Sequence, residues 1–539
     1  MSKRRSEAFM AASNHWNKKQ KVAETSKEGG DNNTSQTTER GNKKEQVSSK
    51  RRSYASPVKL LFNPSYPQDE LAKVNRDTVT IEELVGSRDL QETFQFNFSV
   101  DLAFFLGYLH PNFIKERRNI VFVTGGRLLD PDSEETAIIK TKFNVAEVTA
   151  DIPNRFGTHH TKMMVNFYAD DSVEVVIMTS NITKLDFGGL TQMMWRSGKL
   201  DKGTTKGKKG IQFQADLLAY LRKYDKSRID TLANRLAEYD FSRVDVDLVA
   251  SAPGKYNLQN DHETILGYGS LWQALQRNDL LLDNRDTKNT HYNVLAQVSA
   301  ISYPFSTEKW ATAGIFSHLI CPMIFSKNQA FQMLAPGKES IREHQREHNY
   351  SPSIVFPTVD EVAASNVGFA SGGAIHFDYT KSFVHKNYFS QAIKPYLKKW
   401  DSSRGEATTK TGREKVMPHV KLYMCDNGDD WNSLKWCYMG SHNLSKQAWG
   451  SRKGNKFANS SPDEYEVSSY ELGVLITPKE NTTLVPSYLA DEGKEPDKTF
   501  LRMPFALPPA NYGASDLPWS LHVSYGDKKD SQGLSYDID

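Results

Sequence analysis

The sequence predicts an α/β protein made of two related domains that follow a disordered arm. Strand-like and helix-like patterns alternate from about residue 57 onward, which is typical of an α/β sandwich. A short polar phrase occurs once in each half of the chain, and its two copies lie 259 residues apart. The first 56 residues contain few large apolar side chains. Together these observations predict a duplicated fold whose two copies build one site.

The composition is that of a globular protein. Of 539 residues, 38% are apolar, and typical domain sizes favour two or three cores in a chain of this length. No apolar run approaches the ~20 residues that cross a bilayer, and the N-terminus lacks the apolar core of a secretory signal. We therefore expect a soluble protein with no membrane partner. Three cysteines, Cys321, Cys425 and Cys437, fit neither a disulfide framework nor a zinc site and favour a reducing compartment.

Residues 1–56 are predicted to form a disordered basic arm, because their polar composition cannot offset the entropy of ordering. Residues 1–55 hold 13 Lys and Arg against 6 Asp and Glu, a charge of +7, so the net +3 of the chain leaves −4 for the remainder. Any nucleic-acid contact by the folded part must therefore be a local basic groove. Three clusters favour nuclear import over a merely solvated tail: Lys3-Arg4-Arg5, Lys18-Lys19-Gln20-Lys21 and Lys50-Arg51-Arg52.

The first domain is predicted to span 57–252. Ordered structure is predicted to begin near 58–62 and to become stronger at 93–98. The apolar patterns then indicate a helix at 100–109, a strand at 120–124, a helix over 212–241 and a strand at 244–252. The dipeptide Pro253-Gly254 follows the last strand, and we place the domain boundary there because proline and glycine interrupt regular structure.

The second domain is predicted to span 253–539. Its patterns indicate a helix at 264–277, a strand at 294–302 and polar surface loops at 401–415 and 458–466. The first of these loops precedes the second copy of the polar phrase, so we expect it to border the site.

The repeated phrase is His-x-Lys, present as His160 and Lys162 and again as His419 and Lys421. In an extended strand the histidine and lysine share one face, because side chains alternate. An apolar strand follows each phrase after a turn, at 173–178 and 434–439, and returns an asparagine to the same end: Asn181 in the first unit and Asn443 in the second. A single His-x-Lys would be an ordinary surface or packed histidine, but the duplication predicts a paired site.

Two histidines, two lysines and two asparagines on one surface suit a phosphodiester. One neutral imidazole can attack phosphorus while the other, protonated, donates to the departing oxygen, and a pKa near 6.5 allows opposite protonation states at neutral pH. Lysines and amides supply charge and donors to the non-bridging oxygens. Zinc at these histidines is disfavoured by the neighbouring lysines, and a serine hydrolase lacks its Gly-x-Ser-x-Gly motif. We expect no metal and no cofactor.

The phrases around these residues resemble the tyrosyl-DNA phosphodiesterase family of the phospholipase D superfamily. The resemblance extends from about Thr93 to Trp519 and is carried by these stretches: Phe156-Gly-Thr-His-His-Thr-Lys-Met-Met164, Thr179-Ser-Asn181, Asn443-Leu-Ser-Lys-Gln-Ala-Trp449 and Ser469-Tyr-Glu-Leu-Gly-Val474. It implies two α/β/α sandwich domains related by pseudo-twofold symmetry, with the active site at their interface. It also implies metal-independent hydrolysis of the bond between tyrosine and the 3′ phosphate of DNA.

The resemblance further implies a role for each matching residue. His160 would be the nucleophile that forms a phosphohistidine, and His419 would act first as acid and then as base. The phosphate would be held by Lys162, Lys421, Asn181 and Asn443. Gln192 and Glu471 would orient the histidines, Phe156 would contact the DNA strand, and Ser445 would contact phosphate or DNA. The implied partners are single-stranded or duplex DNA 3′ ends carrying a topoisomerase I peptide. Other adducts at 3′ or 5′ DNA ends are further candidate substrates, and the enzyme would act as a nuclear monomer.

One departure concerns the wider superfamily signature, His-x-Lys-x4-Asp. Phe167 occupies the Asp position of the first unit, whereas Asp426 occupies that of the second. Asp426 opens an Asp-Asn-Gly-Asp-Asp run typical of a turn, and we interpret it as a turn residue.

Two other classes of function stay open. A phospholipid-cleaving relative or another nuclease of the superfamily would share the chemistry, but the former should carry an interfacial apolar helix, which is not evident. A DNA-end binding protein without activity would tolerate loss of a histidine or lysine, yet all four are present.

Overall fold

A computed structural model describes residues 56–259, 264–282, 284–302, 345–403, 409–452, 464–489 and 495–538. The predicted arm and its three basic clusters, Cys321 and parts of both predicted surface loops lie outside these residues. Within them, no helix is long and apolar enough to cross a membrane.

The first half forms an eight-stranded sheet in the order β2-β1-β8-β7-β6-β3-β4-β5. Its strands are β1 Val58–Leu61, β2 Thr78–Val79, β3 Leu90–Phe96, β4 Asn119–Thr124, β5 Asn144–Thr149, β6 Met163–Tyr168, β7 Val173–Met178 and β8 Met193–Arg196. Its helices are α1 Gln68–Val74, α2 Ile81–Val85, α3 Leu102–Leu106, α4 Pro111–Lys115, α5 Glu134–Lys142, α6 Lys184–Gly189, α7 Lys208–Arg222 and α8 Ser227–Leu236. Strands β6 and β7 form an antiparallel hairpin in the middle of the sheet, and both are buried along their whole length.

The second half forms a nine-stranded sheet with the main order β13-β12-β11-β14-β15-β18-β9, to which β19 and β20 add at β15. Its strands are β9 Asp247–Ser251, β11 Tyr292–Gln297, β12 Tyr350–Val355, β13 Leu397–Lys398, β14 Leu422–Asp426, β15 Leu434–Gly440, β18 Glu471–Ile476, β19 Thr483–Ser487 and β20 Lys498–Arg502. A small separate sheet joins β10 Gly254–Asn257, β16 Ser451–Arg452 and β17 Glu464–Val467. The helices are α9 Tyr268–Arg277, α10 Asn284–Asn289, α11 Val359–Ala364, α12 Phe383–Tyr388 and α13 Lys446–Trp449, with shorter 3-10 and π turns at Gly368–Ala374, Phe389–Ile393 and Lys394–Tyr396.

The two sheets repeat one strand pattern. The strand that follows the first His-x-Lys, β6, pairs antiparallel with β7 on one side and with β3 on the other, and β3, β4 and β5 run parallel. The strand that follows the second, β14, pairs antiparallel with β15 and β11, and β11, β12 and β13 run parallel. Beyond each return strand lies a further antiparallel strand, β8 in the first sheet and β18 in the second. The predicted pair of related α/β domains is thereby confirmed.

The sheet membership of one strand differs from the predicted boundary. Strand β9, Asp247–Ser251, was placed by that boundary at the end of the first domain, but it pairs antiparallel with β18 at the edge of the second sheet. The chain has therefore entered the second sheet several residues before Pro253. The Pro-Gly pair marks a bend between β9 and β10 and not a change of domain, because proline and glycine report local backbone geometry alone.

Two predicted helices are divided or shortened, and one predicted surface loop is partly buried. The predicted helix at 212–241 is two helices, α7 and α8, separated near Asp225, which has a positive φ of 49°. The helix at 100–109 is reduced to α3, capped by the side chain of Asp101. The loop before His419 is partly buried, because Arg413 is fully buried and donates to the carbonyl oxygens of Leu61 and Val74 in the first half.

Candidate active site

The two His-x-Lys phrases lie at corresponding ends of the two sheets. Each forms an extended segment that enters the hairpin, the first at β6 and the second at β14. Lys162 Nζ donates to the carbonyl oxygen of His160 at 2.8 Å, and Lys421 Nζ donates to that of His419 at 2.6 Å. Each lysine is thus folded against its own histidine, and both lysines are fully buried.

The backbone of each phrase is bound to the opposite half of the molecule. His160 N donates to the carbonyl of Tyr470 at 2.8 Å, and Tyr470 N donates to that of Thr158 at 2.9 Å. In the second copy, His419 N donates to the carbonyl of Thr191 at 3.0 Å. The crossing is close, since a Cβ on Gly157 would lie 2.0 Å from the carbonyl oxygen of Ser468. The site is therefore formed along the seam between the halves.

Glu471, at the start of β18 in the second half, contacts the histidine of the first half. Its Oε2 lies 2.8 Å from His160 Nδ1 and accepts the hydroxyl of Ser441 at 2.5 Å. The carboxylate is buried, and the imidazole is 13% exposed. This contact fixes the Nδ1 edge of His160 and leaves its Nε2 edge for other partners.

Gln192, immediately before β8 in the first half, contacts the histidine of the second half. Its amide nitrogen lies 3.0 Å from His419 Nδ1, and its amide oxygen accepts the hydroxyl of Thr179 at 2.6 Å. The sequence reasoning missed a second partner of this ring, because Oδ1 of Asp186 also lies 3.1 Å from His419 Nδ1. The arrangement is thus exchanged, with each half holding the other half's histidine.

The two asparagines differ in their contacts. Asn443 is held by its oxygen end, because its Oδ1 accepts from the backbone nitrogens of Ser299 at 3.2 Å and Ala300 at 2.9 Å. Asn181 is held by its nitrogen end, because its Nδ2 donates to Asp186 at 3.2 Å. Its own Oδ1 is buried and has no hydrogen-bond partner among the residues that the structure describes. Asn181 is thus connected to His419 through Asp186, whereas Asn443 contacts Ser299 and Ala300, and the predicted contact of both asparagines with phosphate stays a prediction.

The buried charges of the site shift the pKa values of its cations. Burial lowers the pKa of Lys162 to about 7, and burial together with Lys162 lowers the pKa of Lys421 well below its usual value. Burial and Lys421 likewise lower the pKa of His419 to about 4, while burial and the two lysines lower that of His160. Burial and mutual repulsion thus disfavour the charged forms of these four basic groups, and an anion bound among them would favour those charged forms. This is the electrostatic signature expected of a phosphate site.

His442 should make the stability of the protein depend on pH. It is buried against Trp449 and hydrogen-bonded to Ser251 and Tyr438. Glu471 and His160 lie close to it. Burial lowers its pKa to about 4, below the value of about 6.5 in an unfolded chain. The unfolded state therefore binds the proton more tightly, and stability should fall between pH 6.5 and 4 by on the order of 3 kcal/mol for this group. Urea unfolding at pH 7, 5.5 and 4 measures the loss. The His442→Gln variant, though less stable at pH 7, should show a flatter dependence, and an equally steep one would contradict this account.

The remaining predicted residues occupy varied positions. Phe156 is 47% exposed, with Arg155 over its ring at 4.5 Å. Ser445 caps α13 by accepting from the backbone nitrogen of Ala448 at 3.2 Å, and its predicted contact with phosphate or DNA stays a prediction. Asp426 accepts the backbone nitrogens of the hairpin turn and of Asn293, as a turn residue does.

One exposed aromatic residue near the site was not singled out by the sequence. Phe98 is 49% exposed, and its ring contacts His160 edge-to-face at 5.5 Å and lies 5.7 Å from Lys162 Nζ. The antiparallel pairing of Phe96 with Met163 brings this end of β3 beside the first phrase. Its position at the end of the apolar stretch 93–98 gave no sign of this contact. Among the described residues no group of three or more His, Cys, Asp and Glu is arranged to hold a metal ion.

Two α/β domains that join paired His-x-Lys phrases at their seam define a phospholipase D-like protein. A family model described as tyrosyl-DNA phosphodiesterase matches residues 57–513, and the chain belongs to this family of phosphodiester hydrolases. The resemblance noted in the sequence is therefore confirmed over most of the chain.

Individual relatives agree with this assignment. The chain is 28% identical to a Schizosaccharomyces pombe protein named "Probable tyrosyl-DNA phosphodiesterase", over 88% of this chain and 94% of that protein. It is 27% identical to a Drosophila melanogaster protein named "Tyrosyl-DNA phosphodiesterase 1", over 83% and 71%. A crystal structure of the yeast tyrosyl-DNA phosphodiesterase has the same fold, with a TM-score of 0.64 and 24% identity over 86% of this chain and 99% of that chain. A mutant of the yeast enzyme gives a TM-score of 0.67 at 22% identity, over 86% and 98%.

Proposed function

We propose that this protein is a DNA-repair enzyme that hydrolyses the bond between a tyrosine and the 3′ phosphate of DNA, as left by a stalled topoisomerase I. The observation that carries the proposal is the pair of histidines at the seam, His160 and His419, each contacted at Nδ1 by a group from the opposite half. Family membership and the names of the relatives support the substrate class. The DNA end would lie across the seam.

In the first step, His160 would act as the nucleophile. Glu471 accepts at Nδ1 of the ring, so the proton resides there and Nε2 carries the lone pair. Nε2 attacks phosphorus, the bond between phosphorus and the tyrosyl oxygen breaks, and His419 donates its proton to that oxygen. Because a phenol has a pKa near 10, it leaves more easily than a sugar alkoxide, and an imidazolium is a sufficient acid.

In the second step, His419 would act as the base. It takes a proton from water, the water oxygen attacks phosphorus, and the bond to Nε2 of His160 breaks. The products are a 3′ phosphate and the free histidine. The order of the two roles follows from chemistry, since the group that gave its proton to tyrosine is the neutral base available to the water.

Lys162 and Lys421 would hold the non-bridging oxygens, together with Asn181 and Asn443. In a site of effective dielectric ~20, a lysine ~4 Å from a phosphate oxygen attracts it by roughly 4 kcal/mol before desolvation. Burial lowers the pKa of both lysines, so the arriving anion also favours their protonation by raising those pKa values again. Two such cations supply the charge stabilisation that metal ions give in other phosphoryl-transfer enzymes.

The direct test uses a single-stranded oligonucleotide that bears 3′-phosphotyrosine, incubated with the protein in EDTA. We expect release of tyrosine and an oligonucleotide ending in 3′ phosphate. The same oligonucleotide with 5′-phosphotyrosine reports whether 5′ adducts are accepted. No release of tyrosine from the 3′ substrate by the folded protein would refute the proposal.

Phe156 is proposed to stack on a base of the bound strand, because its exposed ring lies four residues before His160. Stacking on an aromatic side chain contributes about 1–3 kcal/mol per base. Phe156→Ala should therefore raise the Kd for single-stranded DNA by roughly 5- to 150-fold while leaving kcat nearly unchanged. Fluorescence anisotropy measures the Kd. Ile138→Ala removes an equally exposed apolar side chain on α5 and is the control; equal Kd values for the two variants would contradict the role.

We also propose that the protein acts as a monomer in the nucleus. The basic composition of residues 1–55, with its three Lys and Arg clusters, supports the nuclear location, and the monomeric state stays a prediction. A fluorescent fusion of the full chain should accumulate in nuclei, and a fusion with the three clusters replaced by alanine should not. Cytoplasmic fluorescence from the full chain would refute the assignment.

A further inference from the structure

Asp186 is a buried carboxylate that contacts His419, although it lies in the other half of the chain. It is fully buried on α6, its Oδ1 lies 3.1 Å from His419 Nδ1, and it accepts the amide nitrogen of Gln192 at 2.9 Å. The imidazole is 6% exposed, so the contact is shielded from water. Gln192, the orienting residue predicted from the sequence, thus lies against both the carboxylate and the histidine.

The repeat shows what is unusual about this carboxylate. Gln192 and Glu471 occupy equivalent places, since each accepts the hydroxyl of the residue that immediately follows the return strand, Thr179 at 2.6 Å or Ser441 at 2.5 Å. The first half therefore has a neutral amide where the second half has a carboxylate. At the position three residues after the equivalent helix N-caps, Thr183 and Ser445, it is the first half that has a carboxylate, Asp186. The second half has the uncharged Ala448 there.

Each histidine consequently has one buried carboxylate at Nδ1, supplied from a different position of the repeat. Both rings thus have a negative charge next to Nδ1, although the two halves supply it from different positions of the repeat. Several groups that become cationic also face this ring, namely Lys421 of its own phrase and Lys162 and His160 of the first phrase. Asp186 is the acidic group opposite them, and a neutral glutamine cannot replace its charge.

We propose that Asp186 is a positioning residue for His419, which holds the Nδ1 proton of the ring and stabilises the imidazolium that protonates the tyrosyl oxygen. The inference rests on the proposed function and adds to it a residue and a source for the charge. When His419 gives its proton to the leaving oxygen, the ring becomes neutral and keeps its hydrogen bond to Asp186. It is then oriented, through Nε2, for the water of the second step.

A purely structural role makes a different prediction. Asp186 also accepts the side chain of Asn181 at 3.2 Å and the hydroxyl of Thr183 at 2.7 Å. If it served only to hold Asn181, its loss would weaken phosphate binding and raise KM at every pH. If it serves His419, its loss lowers the pKa of that ring. The alkaline limb of the pH–rate profile for the first step then moves to lower pH, because His419 must be protonated to act as the acid.

The test compares Asp186→Asn with the wild type in single-turnover reactions on the 3′-phosphotyrosyl oligonucleotide from pH 5 to 9. We expect tyrosine release to slow on the order of 10²-fold at pH 7.5, with the alkaline limb shifted down by about one pH unit or more. Asp426→Asn, which alters a buried turn aspartate, is the matched control and should leave the limb in place. Thermal melting verifies that each variant is folded.

A rescue variant separates charge from packing. Adding Gln192→Glu to Asp186→Asn places a carboxylate where Glu471 has it in the other half, and we expect recovery of at least tenfold in rate and of the pH limb. An unchanged limb in folded Asp186→Asn, or no recovery in the double variant, would overturn the inference.

A second readout does not depend on activity. Nitrogen-15 spectra of labelled histidine in the ligand-free protein should show the His419 proton on Nδ1, with a lower pKa in Asp186→Asn than in the wild type; equal pKa values would again overturn the inference. If the wild type released no tyrosine, the proposed function would fail, whereas these spectra would still decide the role of Asp186.

Discussion

Replacing His160 with alanine should abolish tyrosine release and prevent any covalent attachment of DNA to the protein. The imidazole is the nucleophile in the proposed reaction, so its removal eliminates the first step and with it the benefit of dividing the hydrolysis in two. We expect a loss on the order of 10⁴-fold or more in kcat/KM. A denaturing gel of the protein with a labelled 3′-phosphotyrosyl oligonucleotide measures attachment, and tyrosine release measures turnover.

The interpretation of this variant depends on its fold. His160 is partly exposed at the seam, and its backbone bond to Tyr470 does not involve the side chain. The variant should therefore melt within a few degrees of the wild type and still bind a 3′-phosphorylated oligonucleotide. Covalent DNA on folded His160→Ala would reverse the assignment of the two histidines.

Replacing His419 with asparagine should trap the covalent adduct between DNA and His160. Loss of the acid slows departure of the tyrosine, but a phenolic leaving group still departs without full protonation. The second step loses its base, and water without a base is a poor nucleophile. Adduct should therefore accumulate to a large fraction of the protein while turnover falls on the order of 10³-fold. The time course of adduct on a denaturing gel measures both steps.

A change of leaving group sharpens the test. An oligonucleotide with a 3′ nitrophenyl phosphodiester has a more acidic leaving group, so adduct formation on His419→Asn should approach the wild-type rate. Breakdown of the adduct should stay slow, because the same phosphohistidine forms from both substrates. An adduct that breaks down as fast as in the wild type would exclude His419 as the base.

Much of this fold could be predicted from the sequence because short apolar runs and turn residues, which are local features, recur in both halves. The apolar run of β7 and its turn predict a hairpin, and the same pattern recurs at β15. The domain boundary was misplaced because β9 resembles any buried strand, and its pairing with β18 depends on contacts between distant segments. Periodicity reports which residues are buried but not against which sheet they lie.

The site was predictable in its residue types and not in its connections. His160, Lys162, His419 and Lys421 are recognisable by repetition, and Gln192 and Glu471 by resemblance. The exchange, in which each half orients the histidine of the other, has no local signature. Asp186 could not be found for the same reason: beside its cap Thr183 it has the pattern of an ordinary acidic residue in the first turn of a helix.

Mapping the covalent intermediate tests the central claim most directly. The His419→Asn variant is incubated in EDTA with the 3′-phosphotyrosyl oligonucleotide, digested with nuclease and protease under alkaline conditions that preserve phosphohistidine, and analysed by mass spectrometry. We predict a nucleotide adduct on the peptide that contains His160, assigned to that residue by fragmentation. An adduct on any other residue, or hydrolysis of the substrate without a covalent species, would contradict the account.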